Sequence, residues 1–203
     1  MNNRFQSYKW AICIGVIILC PILSFSQTKE DQLPTIAPDR EIAINEQQGK
    51  ATSSAEIYAK LTPKNISIRI SLADQRARMM AGNEVAIDTP ISTGKKGHET
   101  PTGEFSISEK LRSHRSSLYG EFVSKGGDVV KSGATPNSKH PRGSTFRGAA
   151  MPYSERLTER GVGMHVGKLP GEAASHGCLR FPVGVMPLIY ARTKVGTKVT
   201  IVE

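Results

Sequence analysis

The chain has 203 residues, with 27 Lys or Arg against 18 Asp or Glu, so its formal net charge is +9. An apolar fraction of 38% with 22% charged residues excludes a chain disordered throughout, a collagen-like chain and a polytopic membrane protein. Three cysteines are too few for a disulfide-dense scaffold, and the length suits one domain with a tail.

The N-terminal segment, residues 1–26, predicts a secretory signal peptide or an N-terminal anchor. Arg4 and Lys9 precede an uncharged, mostly apolar run over 10–23, and Ser24 and Ser26 then place small residues at the −3 and −1 positions before Gln27. The run is shorter than the roughly 20 residues of a spanning helix, which favours a cleaved signal over an uncleaved anchor. We therefore expect export to the periplasm or cell envelope.

Cys178 is the only cysteine expected in the mature chain, because Cys13 and Cys20 lie in the leader. A lone thiol in an oxidising compartment has no intramolecular partner, which indicates that it is buried or used in chemistry. The leader carries two of the positive charges, so the mature chain keeps +7 (+9 minus 2), which favours an anionic polymer as partner. Because the sequence has no Lys- or Arg-rich run with interleaved aromatics, nucleic acid is not expected.

The first half of the chain predicts a tether followed by strands. Residues 27–63 are polar and read as a tether with a short helix near 54–61. Residues 66–72 alternate apolar and polar side chains, which predicts a half-buried strand. A Gly-Asn pair at 82–83 predicts a turn into a returning strand over 85–93.

The second half predicts further strands around a long irregular segment. Residues 103–108 predict a strand, and residues 112–150, rich in Gly, Ser, Lys, Arg and Pro, predict a long loop of the kind that shapes a substrate site. Residues 183–194 predict a short helix with an apolar stripe, and Gly196 is expected to end this helix. Residues 198–202 alternate apolar and polar side chains, which predicts a closing strand. The predicted fold class is mainly β (α+β), in one domain over residues 64–203.

Two segments stand out as a candidate site, and the first is residues 161–167. As a strand it places Val162, Met164 and Val166 on one face, which suits a core. The other face carries three glycines and the His165 imidazole. Glycines in a strand often mark close approach of a ligand or of another backbone. This pattern predicts the floor of a groove with one titratable group.

The second segment is Ser175-His176-Gly177-Cys178, in which His176 and Cys178 are two residues apart. Imidazoles and a predicted helix nearby favour a lowered thiol pKa, and a thiolate is the nucleophile that acyl transfer needs. Backbone N–H groups of Gly177 and Cys178 are candidate donors to the oxyanion of a tetrahedral intermediate.

Blander interpretations remain open for each of these residues. Cys178 could be a small buried hydrophobe, and His165 a satisfied structural residue. His98, His114 and His140 lie in polar segments and are expected to have no role in the site. Zinc bound by two histidines and a cysteine is a further alternative, although no second pair of the C-x-x-C type accompanies them.

The site segments resemble the signature of the L,D-transpeptidase catalytic domain (YkuD-like) family: His165, then Ser175-His176-Gly177-Cys178, then Arg180. Three further segments are similar to segments of that family, namely 91–94, 100–105 and 151–153, and the match covers residues 66–203 in order. The gap between His165 and Ser175 is shorter than in some members, and Arg180 stands where some members carry Asn.

The resemblance implies a β-sandwich-like domain with a small helical cap and a cysteine acyltransferase activity on peptidoglycan stem peptides. Such an enzyme cuts the bond before a terminal D-Ala through a thioester and passes the acyl group to an amine. The amine can belong to another stem, which gives a 3→3 cross-link, or to a protein lysine. An L,D-carboxypeptidase that uses water and a non-catalytic wall-binding module are the alternatives.

The resemblance also implies residue roles, carried over position by position. Cys178 is the expected nucleophile, and His165 the general base and acid. Ser175, His176 and Gly177 are expected to shape the site and its oxyanion pocket. Tyr153 and Arg180 are expected to bind substrate. No metal or cofactor is expected, and the chain is expected to act as a monomer.

Overall fold

The computed structural model describes residues 50–203, which form three β-sheets and two short helices. In chain order the elements are β1 (Thr52–Ser53), α1 (Ala55–Ala59), β2 (Ile66–Ser71), β3 (Arg76–Ala81), β4 (Glu84–Pro90), β5 (Gly103–Ser106), β6 (Glu109–Leu111), β7 (Arg115–Val123), β8 (Val129–Ala134), β9 (Thr145–Ala150), β10 (Ser154–Arg156), β11 (Gly163–Val166), β12 (Leu179–Phe181), α2 (Met186–Arg192) and β13 (Lys198–Val202). The mainly β class is confirmed. The predicted leader lies outside the described residues. Within them, neither helix has the length and apolarity to cross a bilayer.

The six-stranded sheet has the order β1-β4-β3-β2-β13-β5, in which β13 runs parallel to β2 and the other pairs are antiparallel. The alternation over 66–72 is confirmed as β2, where Ile66, Ile68 and Ile70 are buried and Arg69 is exposed. The predicted turn is also present, and Gly82 adopts a positive φ of 63° there, a conformation that costs glycine little. The three buried isoleucines of β2 belong to the main core of the domain.

The N-terminal part of the described chain packs on this sheet. β1 pairs with β4, and the Ser54 side chain accepts a hydrogen bond from the Ile57 N–H at the start of α1. Tyr58 is buried in the main core, and its hydroxyl donates to the Leu188 carbonyl at 2.8 Å. The boundary drawn at residue 64 from composition therefore falls after elements that pack with the domain.

The four-stranded sheet has the order β12-β11-β10-β6, in which only β11 and β12 are parallel. The predicted helix is confirmed as the shorter α2, which begins with Pro187 in its first turn. Lys110 on β6 ties the C-terminal end of α2 to the sheet, because its Nζ donates to the Tyr190 and Thr193 carbonyls and pairs with the buried Glu155 carboxylate at 3.0 Å. This contact joins β6, β10 and the end of α2.

The segment 112–150 is not the irregular loop that its composition predicted, and that prediction was wrong. It forms the three-stranded antiparallel sheet β8-β7-β9. Its glycines allow strands to approach closely, since a Cβ at Gly120 would lie 2.2 Å from the Arg147 carbonyl oxygen. β7 and β8 form a hairpin, in which Val123 pairs with Val129. β9 comes from farther along the chain, since Val123 also pairs with Thr145, and local propensity did not reveal that pairing.

Candidate active site

The two candidate segments meet because β11 and β12 are neighbouring parallel strands. His165 pairs in register with Arg180, and Met164 pairs with Leu179. Cys178 directly precedes β12, so the ladder extended by one residue sets it beside Gly163. Side chains two positions apart share a face of a strand, so Cys178, beside Gly163, lies on the same face as His165. Both residues line one cleft of about 460 Å³.

A tight turn over residues 175–178 presents Cys178. The buried Ser175 hydroxyl donates to the Cys178 carbonyl and accepts from the Gly177 N–H at 3.1 Å. Thr100 holds the turn from the other side, because its hydroxyl donates to the Gly177 carbonyl and accepts from the Gly94 N–H, each at 2.9 Å. The segments 91–94 and 100–105, noticed only as sequence similarity, therefore brace the turn.

The Gly177 N–H, one of the two expected oxyanion donors, donates to the Ser175 hydroxyl in this structure. Gly177 adopts a φ of 107°, in the region that side chains rarely occupy. The residue is therefore needed for the backbone path of the turn.

His165 is a neutral base in this environment. It is 7% exposed, and burial lowers its pKa to about 4, with the charges of Arg180 and His114 acting in the same direction against the hydrogen bond to Val166. The Val166 carbonyl lies 2.8 Å from Nδ1. A carbonyl oxygen can only accept, so Nδ1 carries the proton and Nε2 keeps its lone pair.

The Cys178 thiol differs from the expectation of a lowered pKa. Burial raises the pKa of this thiol, while the Gly163 N–H and the Arg180 charge oppose that rise without cancelling it. The helix expected to lower it begins only at Met186, too distant for a terminus effect that fades within one turn. The thiol donates to the Gly161 carbonyl at 3.6 Å, so the pair is thiol and neutral imidazole at neutral pH.

The predicted bare glycine face is only partly bare. Gly161 and Gly163 line the cleft, and a Cβ at Gly161 would meet nothing within 4 Å. At Gly163 a Cβ would lie 2.5 Å from the Glu155 carbonyl oxygen, and at Gly167 it would lie 2.7 Å from Cγ of Arg180. Gly161 therefore leaves space for a ligand, whereas Gly163 leaves space for the Glu155 backbone and Gly167 for the Arg180 side chain.

Aromatic rings cluster at the mouth of the cleft, and the sequence did not identify this group. The exposed His176 ring stacks on Tyr119 at 4.2 Å between centroids and meets His98 edge-on at 4.6 Å. His114 also lines the cleft, whereas His140 packs on Phe122. Tyr119 and His114 lie in the segment interpreted as a loop, so no periodicity pointed to either residue.

Two expected substrate residues have different surroundings. Arg180 lines the cleft beside Cys178. Tyr153 does not line it, because its ring packs edge-on against Tyr190 at 5.4 Å and lies next to the main core. Tyr119, rather than Tyr153, is the tyrosine beside the site. Among residues 50–203 no group of three or more His, Cys, Asp or Glu side chains is arranged to hold a metal ion.

Comparison with known proteins gives a family match and a set of similar folds. The family model for the L,D-transpeptidase catalytic domain, YkuD, matches residues 65–201. An L,D-transpeptidase from Mycobacterium smegmatis is 19% identical, with a TM-score of 0.53 over 68% of this chain and 59% of that chain. A search of curated proteins found no match.

Two further solved structures have comparable similarity. L,D-transpeptidase 3 from Mycobacterium tuberculosis, in complex with a faropenem-derived adduct, is 21% identical, with a TM-score of 0.51 over 68% of this chain and 60% of that chain. An L,D-transpeptidase (Yku) from Stackebrandtia nassauensis is 18% identical, with a TM-score of 0.50 over 73% and 64%. The chain thus spans about three fifths of the length of these proteins, and at such identities the likeness shows the fold.

Proposed function

The chain belongs to the L,D-transpeptidase catalytic domain family, and on that premise we propose that it is an exported cysteine acyltransferase acting on peptidoglycan stem peptides. In this proposal it cuts the bond before a terminal D-Ala and transfers the acyl group to an amine, which gives 3→3 cross-links or another amide. The observation that carries the proposal is the shared cleft of Cys178 and His165, with Nε2 of the imidazole unprotonated.

The proposed first half-reaction makes a thioester. As Sγ of Cys178 attacks the carbonyl before D-Ala, Nε2 of His165 takes the thiol proton, so no free thiolate is needed beforehand. Because the Gly177 N–H is engaged within its turn, we assign the oxyanion contact to the Cys178 N–H, worth roughly 3 kcal/mol in comparable sites. When the C–N bond breaks, the imidazolium returns its proton to the departing D-Ala nitrogen.

The second half-reaction runs in the opposite sense. The acceptor amine attacks the thioester carbonyl, His165 takes a proton from the attacking nitrogen, and the C–S bond breaks as that proton returns to sulfur. The donor peptide passes along the open part of the cleft at Gly161, where no side chain obstructs it. The leader, residues 1–26, supports the proposal that this reaction takes place outside the cytoplasm.

A defined disaccharide tetrapeptide tests the proposal. We expect intact mass analysis to show an acyl adduct on Cys178 with loss of D-Ala, and the Cys178→Ala variant to show neither adduct nor turnover while it unfolds like the wild type. Cys178→Ser should be severely impaired, because an imidazole does not readily deprotonate a hydroxyl. Turnover by Cys178→Ala at the wild-type rate would overturn the mechanism.

The same assay separates the alternatives. A product that needs an added acceptor stem identifies a transpeptidase, whereas release of tripeptide without acceptor identifies an L,D-carboxypeptidase. Binding to isolated sacculi with unchanged muropeptides identifies a non-catalytic wall-binding module.

A further inference from the structure

A second cleft of about 620 Å³ adjoins the first and shares part of its wall. The shared residues lie at the junction of the two clefts: Tyr119, Ala149, His176 and Arg180. Strands β7, β8 and β9 supply the remaining wall. A ligand that reaches Cys178 through the first cleft can therefore extend into the second.

The second cleft is lined by three guanidinium groups and one carboxylate. The carboxylate, Glu121, is already paired, since it accepts from Arg147 at 3.0 and 2.7 Å. Arg115 donates to the Gly148 carbonyl. Within residues 50–203, neither Arg115 nor Arg180 has a carboxylate within ion-pair distance, so the cleft keeps two uncompensated positive charges.

Packing fixes the position of one of these two charges. The stem of Arg180 lies on Gly167, which lacks the Cβ that would otherwise displace it. Arg180 also pairs in register with His165 and follows Cys178 by two residues. A half-buried guanidinium held in this way is preorganised to bind a planar anion, because its N–H donors match a carboxylate.

We propose that the second cleft binds a free carboxylate of the reacting stem peptide, and that the protein thereby discriminates against stems in which this carboxylate is amidated. The inference rests on the proposed function. A carboxylate is favoured over a phosphate-bearing glycan chain because the cleft is continuous with the nucleophile's own cleft, so the anion must belong to the peptide that reacts there. Either the donor stem or the acceptor stem can supply it.

The test uses the full chain with a stem tetrapeptide and derivatives in which single carboxylates are converted to carboxamides. We expect roughly tenfold or greater loss of kcat/KM for one amidated derivative, as expected for a lost charge-assisted hydrogen bond. Arg115→Gln should reduce this preference, whereas Arg115→Lys, which keeps the charge, should retain most of it. Arg69→Gln removes the same charge from an exposed site on β2 and should leave both the preference and the rate unchanged.

Two arms of the experiment identify the source of the carboxylate. If amidation slows formation of the acyl adduct without acceptor, the donor supplies it. If amidation slows only transfer from a preformed adduct, the acceptor supplies it. Equal rates for free and amidated peptides in both arms overturn the inference, as does a preference that Arg115→Gln leaves intact.

A binding measurement distinguishes this inference from the proposed function. Titration calorimetry with Cys178→Ala requires no chemistry, and we expect it to show tighter binding of the free peptide than of the amidated one, with a difference that shrinks at high salt. If the wild type forms no adduct while this difference persists, the proposed function fails and the carboxylate site stands. If adducts form equally well from both peptides and the binding difference is absent, only the carboxylate site fails.

Discussion

The six-stranded sheet and the three-stranded sheet of this domain bury very different amounts of apolar surface. The first contributes side chains such as Ile68, Ile70 and Val199 to the main core, each at most 1% exposed. The second contributes Phe122 and Ala134, which are buried outside that core. Both described clefts are lined by the three-stranded sheet and by none of the six-stranded sheet.

This difference assigns stability and recognition to separate parts of the chain. Apolar burial is the main favourable contribution to folding, so the sheet with the larger core should dominate the free energy of unfolding. The three-stranded sheet instead presents Tyr119, Arg115 and Arg147 to the clefts. It should open locally at lower cost than the whole domain unfolds.

The largest expected effect on stability is that of Ile68→Ala in the six-stranded sheet. Ile68 is fully buried, so removing its side chain leaves a cavity and should lower the global free energy of unfolding by about 3 kcal/mol. Urea denaturation followed by circular dichroism measures the change.

Phe122→Ala is the matched variant in the three-stranded sheet. It removes an equally buried side chain but should shift the global urea midpoint less than Ile68→Ala does. Its main effect should be faster hydrogen exchange over residues 115–150. Equal shifts of the global midpoint for the two variants would show that the sheets unfold as one unit.

A smaller effect concerns the four-stranded sheet, where β11 carries His165. The folded pKa is about 4 against an ordinary value of 6.5, so the unfolded state takes up a proton first as the pH falls. The stability contribution is therefore complete above pH 6.5 and is lost as the pH falls toward 4, at a cost of roughly 2 to 3 kcal/mol by pH 4.5.

Urea denaturation at pH 7 and pH 4.5 checks this prediction. The His165→Gln variant has no imidazole to titrate, so its unfolding free energy should fall less over the same interval than that of the wild type. An identical decrease in both proteins would contradict a buried neutral His165.

The smallest expected effect tests whether the N-terminal elements belong to the stable region. Tyr58→Phe removes the hydrogen bond to the Leu188 carbonyl and should lower the free energy of unfolding by about 1 kcal/mol. Val85→Ala, at a more exposed position on neighbouring β4, serves as a control. No change in Tyr58→Phe would show that this hydrogen bond does not help to hold α1 on the stable region.

Sequence patterns predicted well where the evidence lies within one segment. Strict alternation identified β2 and β13, the apolar stripe identified α2, and the Gly-Asn pair identified the turn at 82–83. The spacing of His165, Gly177 and Cys178 identified the candidate site. Each of these inferences depends on neighbours in the chain, whose geometry is fixed by the backbone period.

The sequence by itself determined which residues carry the candidate chemistry, because residue type and local spacing are one-dimensional properties. Tertiary structure alone decided that the Thr100 hydroxyl binds the Gly177 carbonyl, that Tyr119 rather than Tyr153 lies beside His176, and that the polar segment 112–150 forms a sheet. It also decided the direction in which the pKa values of His165 and Cys178 move, since desolvation depends on atoms brought from distant parts of the chain.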